Sequence, residues 1–192
     1  MSERFFNNAG PMDCAQHYCI PPLERFDLEV VERLIDQQRY FVLHAPRQTG
    51  KTSSLLALMH HLNAQGRYRC LYVNVEAAQA AREEVARAMR LIVNELALNA
   101  ELYLADDRPG QLRDPLIASG HIEGSLGELL SHWSRQSDRP IVLLLDEVDA
   151  LIGDTLISLL RQLRSGYAKR PAAFPQSIIL CGVRDVRDYR IH

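Results

Sequence analysis

The chain has 192 residues, 47% of them hydrophobic and 24% charged, enough apolar material for one sizeable core and too little length for two. Lysine and arginine number 22 against 24 aspartates and glutamates, a net charge of −2, so no overall positive field favours nucleic acid or an anionic membrane. The longest apolar runs, such as IVLLL at 141–145, fall far short of the ~20 residues that span a bilayer, and MSERFFNNAG carries no signal-peptide stretch; the expected location is the cytoplasm. Four cysteines, at 14, 19, 70 and 181, fit reduced thiols better than a disulfide framework. Cys14, His17 and Cys19 crowd together but lack the fourth ligand of a zinc site.

Along the chain, RYFVLH at 39–44 reads as a short buried strand. The turn-prone PRQTG follows, and then a helix with Leu55, Leu58, Met59 and Leu62 on one face, closed by Gly66. RCLYVNV at 69–75 is a second strand, and Val85, Ala88, Met89, Ile92, Val93 and Leu96 recur at the spacing of a core-facing helix. Residues 101–121, with Pro109, Gly110, Pro115 and Gly120, read as an irregular excursion. Ser125 and Glu128 form a capping box opening a helix with Leu126, Leu129, Leu130 and Trp133 inward. IVLLLD at 141–146 is a fully buried strand, a helix with Leu156, Leu159, Leu160 and Leu163 ends at Gly166, and QSIILCGV is the fourth strand. Such alternation predicts an α/β fold with a mainly parallel sheet, whose ligands collect beyond the carboxyl ends of the strands.

Between the first strand and the first amphipathic helix stands Ala45-Pro46-Arg47-Gln48-Thr49-Gly50-Lys51-Thr52, which resembles the Walker A pattern GxxxxGK[ST]. Backbone N–H groups at the loop and helix start can wrap an anion, Gly50 lets the backbone come close, Lys51 can reach the β and γ phosphates, and the Thr52 hydroxyl can ligate Mg²⁺. The first glycine of the pattern is Ala45 here, so that turn must use a backbone conformation alanine tolerates. Much further along, the apolar Val142–Leu145 run ends in Asp146-Glu147, resembling Walker B: Asp146 can hold the metal's coordination shell and Glu147 can polarise an attacking water. Each motif alone is weak, but in this order and on these elements they reinforce one another. The histidines at 60, 61, 121 and 132 form no pattern with a serine or cysteine nucleophile, which excludes triad hydrolysis.

These segments together resemble the AAA-like branch of P-loop ATPases, the group with an additional catalytic glutamate that includes the signal-transduction ATPases with numerous domains. The resemblance spans roughly residues 18–190 and rests on HYCIPPLERF, YFVLHAPRQTGKTS and LLLDEVDAL. It implies a three-layer α/β/α P-loop core over residues 28–192 with ATP and Mg²⁺ as cofactors, and a lead-in at 1–27 near the nucleotide base, where Tyr18, Ile20 and Pro21 would contact adenine. It extends the phosphate loop through Ser53 and assigns Arg184, within VRDVRDYR, as a sensor of the γ phosphate; a surface arginine paired with Asp185 or Asp188 is the competing reading. It also implies a fifth strand and a helical lid after the fourth strand, for which the sequence offers no candidate, so the strand carrying the phosphate loop is expected at an open edge.

The expected function is Mg²⁺-dependent ATP binding with hydrolysis that switches or drives an attached or partner module. A nucleotide-binding scaffold without turnover stays open beside it. So does a DNA-associated module, for which the cluster Arg161, Arg164, Lys169 and Arg170 is the sole sequence support.

Overall fold

The computed structural model describes residues 4–7 and 14–182. Four strands form one all-parallel sheet: β1 (Tyr40–His44), β2 (Arg69–Asn74), β3 (Ile141–Asp146) and β4 (Ser177–Gly182), in the order β1-β4-β3-β2. Parallel neighbours need crossover connections, and here helices supply them. Helix α1 (Leu28–Asp36) precedes β1, α2 (Lys51–Gln65) links β1 to β2, and α3 (Val85–Leu104), α4 (Arg108–Ala118) and α5 (Ser125–Gln136) lie between β2 and β3. Helix α6 (Gly153–Gly166) leads from β3 toward β4.

The alternation of side chains along each strand sorts the core into two layers. Cys70, Tyr72, Val142, Leu144, Ile179 and Cys181 face α1 and α2, packing on Val31, Ile35, Leu55, Leu58, Met59 and Leu62. Leu71, Val73, Ile141, Leu143, Leu145 and Ile178 face the opposite way, onto α3, α5 and α6. The expected three-layer α/β/α architecture is therefore observed. β3 is buried at every position, as an interior parallel strand should be, whereas four of the five β1 residues are only half-buried and the fifth is exposed, because β1 forms the edge of the sheet among the described residues.

Local signals position the elements. Asp27 caps α1 by accepting from the Val30 N–H at 3.0 Å. Helix α2 begins after Gly50 (φ 82°) and stops at Gly66 (φ 72°), both left-handed, so the closing role read for Gly66 holds.

Three expectations are corrected. Residues 101–121 are mostly helical: α3 runs to Leu104 and α4 follows, with Pro109 in its first turn, where a missing N–H costs nothing, and Pro115 inside it. Ser125 does not cap α5; its hydroxyl donates to the Ile122 carbonyl at 2.6 Å and the N-cap position falls on Gly124. Cys14 and Cys19 are joined as a disulfide, whereas Cys70 and Cys181 are free and buried.

A buried carboxylate holds the α4 excursion against the core. Asp106, 3% exposed, accepts from Trp133 Nε1 (2.9 Å), from Arg108 Nε (2.7 Å) and Nη2 (2.6 Å), and lies 3.2 Å from Arg69 Nη2. Burial by itself would raise its pKa, but the hydrogen bonds from Arg108 and Trp133 together with the arginine charge hold it below the usual carboxylate value. Asp106→Asn is expected to destabilise the fold by about 2–4 kcal/mol at neutral pH, because Arg108 loses its paired carboxylate and Arg69 is left with Asp138 alone. Since the folded pKa is depressed, this contribution is fully present above the unfolded value of about 4 and fades as pH falls through the folded one. Urea unfolding of both proteins at neutral pH and at successively lower pH checks it: the gap between them should close only below about pH 4.

Candidate active site

β1 delivers the chain to the carboxyl edge of the sheet, where residues 45–50 turn into α2. The left-handed conformations of this loop fall on Gln48 (φ 60°) and Gly50 (φ 82°), not on Ala45, so alanine at the first motif position brings no backbone strain. Ala45 is instead tied to the neighbouring strand through its N–H, which donates to the Gly182 carbonyl at 3.4 Å. The Thr49 hydroxyl donates to the Pro46 carbonyl at 2.8 Å, closing the loop on itself. Pro46, Arg47, Gln48 and Thr49 are exposed, Gly50, Lys51 and Thr52 half-buried, and Ser53 is buried on the inner side of α2.

Lys51 folds back over this loop, its Nζ donating to the carbonyls of Ala45 (2.9 Å) and Pro46 (3.0 Å), and among the described residues it makes no ion pair. Two neutral acceptors are a weak holding site for an ammonium, and a polyphosphate would displace them. The first N–H groups of α2 lack partners within the helix and lie beside this charge, so the loop combines a lysine, a helix N-terminus and a glycine where the backbone must come close. Arg25 supports it from below: its Nη1 donates to the Thr49 carbonyl at 3.2 Å, and a Cβ on Gly50 would lie 2.2 Å from the same nitrogen.

β3 brings the second motif to the same point. Asp146 is fully buried, and its Oδ2 accepts from the Thr52 hydroxyl at 2.7 Å although the two residues are 94 positions apart. Tyr72 donates to that same oxygen at 3.0 Å, and the Glu147 N–H donates to Oδ1 at 3.0 Å. A hydroxyl beside a carboxylate is a hard oxygen pair of the kind Mg²⁺ takes when it also binds phosphate, so the residues present fit that ion. Glu147 leaves the strand in a left-handed conformation (φ 57°, ψ 37°), which turns the chain away from the sheet one residue after Asp146. Burial raises its carboxyl pKa, the neighbouring Asp146 and Asp149 raise it further, and Lys51 acts in the opposite sense. Asp149 sits against the end of β4, where a Cβ on Gly182 would lie 2.7 Å from its Oδ1.

Beside the loop opens a cleft of about 230 Å³ whose walls include Arg25, Phe26, Leu43, Lys51, Ser54 and Leu55. Tyr18, Ile20 and Pro21 are exposed and are not in its lining, so the lead-in reaches this cleft through Arg25 and Phe26. Arg184 lies outside the described residues. Of the basic cluster, Arg170 is engaged within the fold, stacking on Tyr167 and Tyr40 and donating to the carbonyl of Gln38, while Arg161, Arg164 and Lys169 make no ion pair among the described residues. Sequence reasoning missed Arg25, Phe26 and Tyr72. The first two lie within the lead-in that it had singled out, whereas Tyr72 was hidden in an ordinary-looking strand.

A model of the AAA domain matches residues 33–189, most of the chain and both motifs. The chain belongs to the AAA domain family. It is thereby a P-loop ATPase domain of the nucleotide-binding kind, and no helix among the described residues is long and apolar enough to cross a membrane. No curated protein matches it. Among solved structures, Drosophila ORC bound to GC-rich DNA and Cdc6 aligns with a TM-score of 0.50 at 16% identity, covering 82% of this chain and 24% of that one. Cdc6p from Pyrobaculum aerophilum gives 0.49 at 20% identity, covering 86% and 40%. Drosophila ORC bound to DNA gives 0.49 at 17% identity, covering 100% and 50%. The chain thus spans half or less of each of these matched chains, and at 16% identity the likeness to the first concerns the fold.

Proposed function

We propose that this AAA domain binds ATP with Mg²⁺ and hydrolyses it, and that the cycle switches or drives an attached or partner module. The observation that carries this reading is the 2.7 Å contact between Thr52 and Asp146, which unites the two motifs at the mouth of the phosphate loop. In the proposed roles, Lys51 neutralises the β and γ phosphates, Thr52 and Asp146 hold the ion, and Glu147 orients the attacking water. The metal supplies charge neutralisation of the transferring group. Glu147 suits the base role because its environment favours the protonated form, bringing its proton affinity closer to that of a base working near neutral pH. The cleft walled by Phe26 and Leu55 is the place proposed for the base.

The experiment is titration of the purified chain with a fluorescent ATP analogue, with Mg²⁺ or with a chelator, followed by phosphate release from ATP. Saturable binding strengthened by Mg²⁺, with slow phosphate release, is expected. Mg²⁺-strengthened binding without release would leave a nucleotide-binding scaffold, and no binding by a folded, monodisperse sample would overturn the reading.

A further inference from the structure

Asp146 has no exposed surface, and a buried carboxylate needs donors from the protein around it. Among them are Thr52 at the start of α2, Tyr72 on β2 and the backbone N–H of Glu147, and the Cys181 thiol on β4 also lies within hydrogen-bonding reach. The first belongs to the phosphate loop and the third is fixed by the chain's own path. Tyr72 belongs to neither motif.

Its placement follows from the sheet. β2 is the neighbour of β3, with Tyr72 beside Leu144 and Asn74 beside Asp146, and residues of the same parity on both strands face α2. The Tyr72 ring is 6% exposed among Leu144, Leu58 and their neighbours in that layer, and its backbone carbonyl accepts from Asn99 Nδ2 on α3 at 3.2 Å. A buried ring on a tied strand leaves its hydroxyl little freedom. That hydroxyl and the Thr52 hydroxyl donate to one and the same oxygen, Asp146 Oδ2.

We propose that Tyr72 is the positioning residue of the metal site: its hydroxyl fixes the Asp146 carboxylate oxygen to which Thr52 also donates, and so orients the pair that would hold the ion. The inference rests on the Mg²⁺-nucleotide reading given above. The Thr52 hydroxyl gives its proton to Asp146 and would offer an oxygen lone pair to Mg²⁺, so the position of Asp146 Oδ2 also sets the direction of that lone pair. Without Tyr72, Oδ2 would keep the Thr52 donor, and with the Glu147 N–H on Oδ1 the carboxylate would be held less firmly in the metal-binding orientation. Tyr72 reaches Oδ2 from the buried layer between β2 and α2. Without it the carboxylate must be ordered at the moment the metal enters, and metal affinity falls by that cost.

The test compares Tyr72→Phe with wild type in the same fluorescent-nucleotide titration, run with chelator and across a Mg²⁺ series. The substitution keeps the ring in the core and removes one hydrogen bond to a charged group. With chelator, affinity should stay within about two-fold of wild type, since no contact to the nucleotide is lost. The Mg²⁺ concentration giving half of the strengthening should rise by about ten-fold, the effect of losing one charge-assisted hydrogen bond. In an Asp146→Asn background the same substitution should change the Mg²⁺ response by less than about two-fold. An unchanged Mg²⁺ response, an equal loss with and without the metal, or an undiminished effect in the Asp146→Asn background would each overturn the proposal. If wild type itself shows no Mg²⁺ response, the reading of the whole site falls and this inference with it, whereas a normal wild-type response and a wild-type-like Tyr72→Phe would sink the inference alone.

Discussion

Lys51→Ala is expected to weaken nucleotide binding by at least about 100-fold, through the loss of charge-assisted contacts to two phosphates. The resting structure explains why the effect should be confined to the ligand. Among the described residues Lys51 donates only to the carbonyls of Ala45 and Pro46, both on the loop before α2, and the aliphatic stem lies at the start of a helix already defined by Gly50. Removing it deprives no buried charge of a partner, so thermal stability without nucleotide should move by no more than a few degrees. Wild type should gain thermal stability on adding Mg²⁺-ATP, and Lys51→Ala should not, because a ligand stabilises only the state it binds. The two readouts separate a lost site from a lost fold. Undiminished nucleotide affinity in the variant would mean that the loop resembling Walker A is a strand-to-helix turn and nothing more.

The legible and illegible parts of this sequence divide on physical lines. The four strands and the two motifs were readable because they rest on short-range patterns: an unbroken apolar run for β3, a glycine-lysine-threonine turn after an apolar strand, and helical spacing in α3 and α5. Residues 101–121 were misread because two prolines and two glycines outweighed periodicity. Pro109 is harmless in the first turn of α4, and the segment is anchored by Asp106, whose partners Arg69 and Trp133 are distant in sequence. Ser125 failed as a cap for a similar reason: its hydroxyl found the carbonyl three residues earlier. The site divides the same way. Lys51, Thr52 and Asp146 announce themselves by motif, but Tyr72 reaches Asp146 only because β2 pairs with β3 in a particular register, and strand order is not written in any local pattern. Arg25 comes to the phosphate loop by the same kind of long-range packing.

The second large effect concerns Glu147, and it separates an ATPase from a binding scaffold. Glu147→Gln should retain Mg²⁺-dependent nucleotide binding and lower kcat by about 10²–10⁴-fold, the usual contribution of a positioned general base. Binding should persist because the contact that Glu147 gives to Asp146 comes from its backbone N–H, which the substitution leaves in place. The left-handed turn at this position is equally available to glutamine, and the amide has the same shape as the carboxylate. A small gain in ATP affinity is expected as well, since one negative charge disappears from a neighbourhood that already holds Asp146 and Asp149 and would have to accept a γ phosphate. Pre-steady-state phosphate release beside equilibrium binding distinguishes the cases. A variant that binds tightly and releases phosphate at the wild-type rate would strip Glu147 of the base role and leave water activation to another group, or to no group at all. A variant that loses binding as well would place Glu147 among the residues that organise the ground state, and the rate would then carry no information about the base.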